Sequence, residues 1–97
     1  MSGYVYLSES EVLSGLGRIT VNFYNSESTL VARTLTESDG YFSFWGLAPG
    51  AYTARIDSSQ LFQLKMSSAL LNIPFVIKPD IEGDFAEGIK FILLKET

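Results

Sequence analysis

The chain contains no cysteine and no histidine. No disulfide or thiolate-bound metal is therefore available, and nucleophile–base pairs built on Cys or His are excluded. The absence of cysteine does not by itself assign a redox compartment, because extracellular domains can fold without disulfides. Basic residues are also few, seven Lys and Arg against eleven Asp and Glu, for a net charge of −4. With no basic patch, binding to nucleic acid or to an anionic membrane has no electrostatic support. No stretch approaches the roughly 20 apolar residues of a membrane-spanning helix. The first residues lack the basic-then-apolar pattern of a secretion signal.

What remains is rich in core-forming residues. Hydrophobic side chains make up 46% of the 97 residues, with seven Phe, five Tyr and one Trp. That supply argues against disorder, and the length fits one domain, residues 1–97, burying roughly 60–65% of its unfolded surface. The most structured text is Thr36 to Tyr52, T-E-S-D-G-Y-F-S-F-W-G-L-A-P-G-A-Y. Two turn signals, Ser38-Asp39-Gly40 and Ala48-Pro49-Gly50, bracket a short alternating segment, since Gly accepts positive φ and Pro pre-sets φ near −65°. Phe42 and Phe44 share one face of that segment, and Tyr41, Ser43 and Trp45 the other. Leu47, between the turns, is placed to plug the end of the core.

The same period-2 pattern recurs along the chain. Tyr4 to Leu7 reads as a first or edge strand, and Ser8 to Gly17 as a polar, Gly-punctuated connection. Ile19, Val21 and Phe23 alternate with Thr20, Asn22 and Tyr24; Leu30 to Thr36 returns as the next strand. Tyr52, Ala54 and Ile56 alternate with Thr53 and Arg55. Asp57 to Leu71 fits a crossover with at most one short helical turn near residues 58–66, capped from Asp57-Ser58-Ser59-Gln60. Phe75 and Ile77 lie on one face of a strand ending at Lys78-Pro79. The closing strand places Ile89, Phe91 and Leu93 on one face and Ile92 and Leu94 on the other. About seven short strands with little helix predict an all-β, antiparallel Greek-key sandwich.

The run from Thr34 to Ile56 resembles the carboxypeptidase regulatory-like and collagen-adhesin B-type modules, which share a transthyretin-like (prealbumin-like) sandwich. The resemblance is carried by Thr34, Thr36, Asp39, Gly40, Phe42, Phe44, Leu47, Pro49, Gly50 and Tyr52, preceded by Gly15-Leu16-Gly17-Arg18-Ile19-Thr20-Val21. It covers about half the chain and implies a cell-surface or secreted bacterial protein, of which this would be the C-terminal module. The implied role is a non-catalytic structural spacer or protein-interaction module, monomeric as excised. Its partners would be neighbouring domains of the same polypeptide or other cell-surface proteins. The Lys–Asn isopeptide of some of these modules is not expected, because the first lysine is Lys65 and no Asn follows Asn72. The histidine-dependent hydrolase chemistry of the wider fold has no histidine to use.

Two clusters are candidates for binding. Asp80, Glu82, Asp84 and Glu87 form D-x-E-x-D-x-x-E around Gly83, and closely spaced carboxylates are what calcium requires. The spacing departs from the EF-hand pattern D-x-[DN]-x-[DN]-G, so a solvated acidic loop is the preferred reading and no cofactor is expected. Tyr24, Tyr41 and Trp45 face away from the apolar stripes of their strands. If neighbouring strands bring them together, they form an aromatic strip able to stack on polysaccharide or anchor a protein. Cross-strand pairing that merely stabilises the sheet is the competing reading.

Overall fold

The computed structural model describes residues 1–68, 72–78 and 89–95, and within them nine strands and one helix. Five strands, β1 (Ser2–Glu9), β2 (Val12–Gly15), β5 (Tyr41–Ser43), β7 (Met66–Ser68) and β9 (Ile89–Lys95), make one sheet. Its order is β2-β1-β9-β7, with β5 also pairing with β1. The second sheet, in order β4-β3-β6-β8, contains β3 (Thr20–Asn25), β4 (Leu30–Leu35), β6 (Gly50–Ile56) and β8 (Ile73–Ile77). The two pack as a sandwich, and the expected alternation decides what lies between them. Val5, Leu7, Phe42, Ile89, Phe91 and Leu93 from the first sheet meet Val21, Phe23, Ala54, Ile56, Phe75 and Ile77 from the second, all buried. Phe44 and Leu47 pack against this core half-buried.

The aromatic centre joins the layers. The fully buried ring of Phe23 has its centroid 6.4 Å from Phe42 across the sandwich, 5.9 Å from Phe44 and 6.1 Å from Phe75. Phe42 continues the contact to Phe91 at 6.4 Å. Thr36 is buried at the edge without an unmet polar atom, because its hydroxyl accepts from the Ile19 amide at 2.9 Å and donates to the Leu16 carbonyl at 2.6 Å.

Three features differ from the sequence expectation. Nine strands replace about seven, because Val12–Gly15 inside the expected polar connection is β2 and Met66–Ser68 is β7. The β1–β2 hairpin turns on Ser10 and Glu11, both at positive φ (48° and 66°), conformations usually given to Asn and Gly. Strand β5 stops at Ser43, so Trp45 lies in the following loop. Finally, the ladder is not antiparallel throughout: β1 and β9 run parallel in continuous register from Gly3↔Ile89 to Ser8↔Leu94. The start of β1 and the finish of β9 therefore lie at opposite ends of the sheet, about 20 Å apart at the ~3.3 Å rise of a strand.

Helix α1 (Ser58–Leu64) carries the chain from the second sheet to the first. Asp57 caps it, accepting from the Gln60 amide, and Lys65 ends it in the left-handed region. No residue of the helix is fully buried, though Leu61 packs half-buried against the core, and capping and side-chain tethers supply the rest of its hold. Gln60 supplies the main tether: its Oε1 accepts from the Thr20 amide at 2.7 Å and its Nε2 donates to the Arg18 carbonyl at 2.8 Å. The Ser59 hydroxyl holds the Asp57 carboxyl below its usual pKa, with Asn22, the Gln60 amide and the charge of Arg33 adding and partial burial opposing. A lowered folded-state pKa means the ionised form's contribution is complete above the unfolded value of about 3.9 and is lost as pH falls through the lowered value. Asp57→Ala should cost about 1 kcal/mol at pH 7, the usual worth of a cap. In urea titrations run as a pH series, the gap between wild type and variant should narrow below about pH 4; a gap constant down to pH 2 would refute the ionic contribution.

Candidate functional site

Each sheet turns one face outward, and the two faces differ. On the five-stranded sheet Tyr4 and Tyr6 stack with their centroids 5.6 Å apart and planes 9° from parallel. Tyr41, paired with Tyr4 across β5 and β1, meets that ring edge-on at 5.3 Å. The Lys90 ammonium lies 5.7 Å over the Tyr6 ring, a cation–π distance. Tyr4 and Tyr41 are a cross-strand pair, whereas Tyr4 and Tyr6 are neighbours on one face of β1.

The four-stranded sheet exposes a polar depression. A pocket of about 480 Å³ is lined by Tyr24, Asn25, Ser28, Thr53, Arg55 and Asn72. Its floor follows from register: Tyr24 lies opposite Thr53 and Asn22 opposite Arg55, on the outward side of β3 and β6. Its wall is the β3–β4 turn, which Asn25 organises by accepting from the Glu27 and Thr29 amides at 2.9 and 3.0 Å. Ser28 in this turn is left-handed, φ 62°. Among the described residues the lining holds one cation and no acid. Among the described residues the only ion pair is Lys95–Glu9, at 3.1 Å, so Arg55 has no carboxylate partner there. Arg33, also paired with Asn22 but across β4, lies in the field of Asp57. Between the two arginines Asn22 is 4% exposed, donating to Asp57 at 3.3 Å while its Oδ1 accepts nothing.

A second pocket of about 410 Å³ shares Asn25 and Thr53 with the first and is walled by Ala51, Tyr52, Pro74 and Val76. The polar and apolar halves therefore adjoin in one groove that runs from the end of β3 over the middle of β6 and β8.

No family profile and no curated protein matches this sequence.

The structure separates the three aromatic residues expected to act together. Tyr24 lines the pocket on the four-stranded sheet, Tyr41 belongs to the tyrosine cluster on the other sheet, and Trp45 is in the loop after β5, 59% exposed. Tyr24 and Tyr41 look away from each other on opposite faces of the sandwich. Asp80, Glu82, Asp84 and Glu87, the calcium candidates, lie outside the described residues. Among the described residues no three His, Cys, Asp or Glu side chains group closely enough to hold a metal. The residues that sequence reading missed are Arg55, Asn72 and Ser28. Each is a common surface residue; the β3–β4 turn carries Ser28 to Tyr24, and only the pairing of β6 with β3 and β8 brings Arg55 and Asn72 there.

Proposed function

We propose that this domain is a non-catalytic spacer and interaction module of a larger extracellular protein, built on a transthyretin-like Greek-key sandwich. The observation that carries the proposal is the parallel pairing of the first and last strands. A chain entering along β1 and leaving along β9 runs straight through the domain, so copies or neighbours joined in series extend rather than fold back. Tension between the two ends loads the β1–β9 hydrogen bonds together, in shear, instead of one after another. The resemblance of Thr34 to Ile56 to modules of bacterial surface proteins supports the same reading.

Single-molecule pulling tests it, and a chain without cysteine accepts attachment sites freely. Handles at the two chain ends should require a markedly higher unfolding force than handles on Ser2→Cys and Lys90→Cys, which peel β9 from β1 starting at the paired ends of both strands. Equal forces in the two geometries, or yielding at the lower force when pulled end to end, would sink the load-bearing role.

A further inference from the structure

We infer that the groove on the four-stranded sheet is a binding site for an acidic polysaccharide, with Arg55 receiving a sugar carboxylate. This goes beyond the spacer role and rests on different residues. Three features of the groove select the ligand.

The first is charge. Among the described residues Arg55 is the one cation in the polar pocket, none that lines it is an acid, and no carboxylate pairs with it. A guanidinium presents a planar fork that matches a carboxylate in two parallel hydrogen bonds. The whole chain carries −4, so its overall field does not draw anions in, and recognition is local to that fork.

The second is the remaining lining. Asn25, Asn72, Ser28 and Thr53 offer neutral amides and hydroxyls, and Tyr24 offers a ring and a hydroxyl. Sugar hydroxyls both donate and accept, and amides and hydroxyls are the side chains that can answer them in either sense. A phosphate or sulfate site would instead gather further cations or backbone amides, and Arg33, the nearest other guanidinium by strand register, lies in the field of Asp57.

The third is continuity. Past Thr53 the groove becomes apolar, with Ala51, Pro74 and Val76 along its wall. Each half falls within the roughly 300–1,000 Å³ of small-ligand sites. A pyranose presents polar edges and an apolar C–H face, so a chain of sugars can hold its carboxylate at Arg55 while its next unit lies over the apolar half. The β3–β4 turn that walls the polar half is held by four hydrogen bonds around Asn25, so little ordering is left for the ligand to supply.

The experiment is an NMR titration of the isotope-labelled domain with tetramers of galacturonic acid, with galactose tetramers as the neutral comparison. A Glu-rich hexapeptide serves as a carboxylate source of the protein class. Galacturonate should shift the amides of Tyr24, Thr53, Arg55 and Asn72, and galactose should bind at least tenfold more weakly. Arg55→Gln should abolish the preference for the acidic sugar, and Tyr24→Ala should weaken both sugars. Arg55 is exposed, so the variant should keep the wild-type melting temperature. No shift at millimolar galacturonate, equal affinity of Arg55→Gln and wild type, shifts centred on Tyr4, Tyr6 and Tyr41, or tighter binding of the peptide would each overturn the assignment. None of these outcomes bears on the pulling experiment, so the two proposals fail separately.

Discussion

Phe23→Ala is expected to remove about 3–5 kcal/mol of folding stability, the usual cost of deleting a fully buried aromatic ring. Phe23 is where the two layers touch: its ring meets Phe42 from the opposite sheet and Phe44 and Phe75 beside it. Truncation removes the hydrophobic transfer of the ring and leaves a cavity whose lining is itself three rigid rings, which cannot collapse into the space. Against a total of roughly 5–15 kcal/mol for a domain of ordinary stability, the variant should be close to unfolding. Urea denaturation should show a large fall in the midpoint with little change in slope. Phe44→Ala, at a half-buried position, should cost less. A loss under about 1 kcal/mol for Phe23→Ala, below the range for buried aromatics, would mean that the cluster is not what joins the sheets.

Gly40→Ala should be comparably damaging through a different mechanism. Gly40 sits where strand β1 changes neighbours, pairing with β5 over Ser2 to Tyr4 and with β2 from Tyr6 onward. Val5, between the two, donates to the Gly40 carbonyl at 2.8 Å and accepts from the Leu16 amide at 3.0 Å. At φ +86°, a side chain on residue 40 is strained by its backbone alone, and a left-handed conformation costs roughly 1–2 kcal/mol for an L-residue. Its Cβ would also lie 2.2 Å from the Val5 carbonyl oxygen and 3.0 Å from Gly15 Cα. Those are backbone atoms at the strand junction and cannot swing aside. Together with roughly 1–3 kcal/mol for overpacking, a loss of about 2–5 kcal/mol is expected. Gly46→Ala separates the two contributions, because Gly46 is also at positive φ, +106°, with nothing within 4 Å of its Cβ position. It should show the conformational cost alone, so equal losses for the two variants would refute the close-contact argument.

The sequence legibility of this domain follows from what kind of information each feature needs. Buried and outward positions were readable because a strand reports its own facing through alternation: Ile19, Val21 and Phe23 on β3 and Ile89, Phe91 and Leu93 on β9 are buried as that pattern requires. The helix after Asp57 was readable because its cap is local. Strand β2 was not, since its hairpin turns on Ser10 and Glu11 and lacks the Asn-Gly or Asp-Gly signal that marked the turn before β5. Asn22 alternates as an outward residue, and its burial comes from the contact with Asp57 at the start of a helix 35 positions away.

The candidate site was legible only at Tyr24. Its other members come from the β3–β4 turn, the middle of β6 and the residue before β8, and no local pattern relates them. Tyr24 and Tyr41 both read as outward aromatics, which is correct for each strand, yet outward has two directions in a sandwich.

By itself the sequence determined an all-β sandwich of two layers with a short capped helix, and the exclusion of chemistries that need Cys or His. These follow from composition and from side-chain alternation, which are properties of short segments. Only the tertiary structure decided that β1 and β9 lie side by side and parallel, that the aromatic residues divide between two faces, and that Arg55 stands beside Tyr24 and Asn72. Strand neighbours are joined through backbone amides and carbonyls that nearly every residue carries, so the choice of partner and direction leaves little trace in the residues that make it.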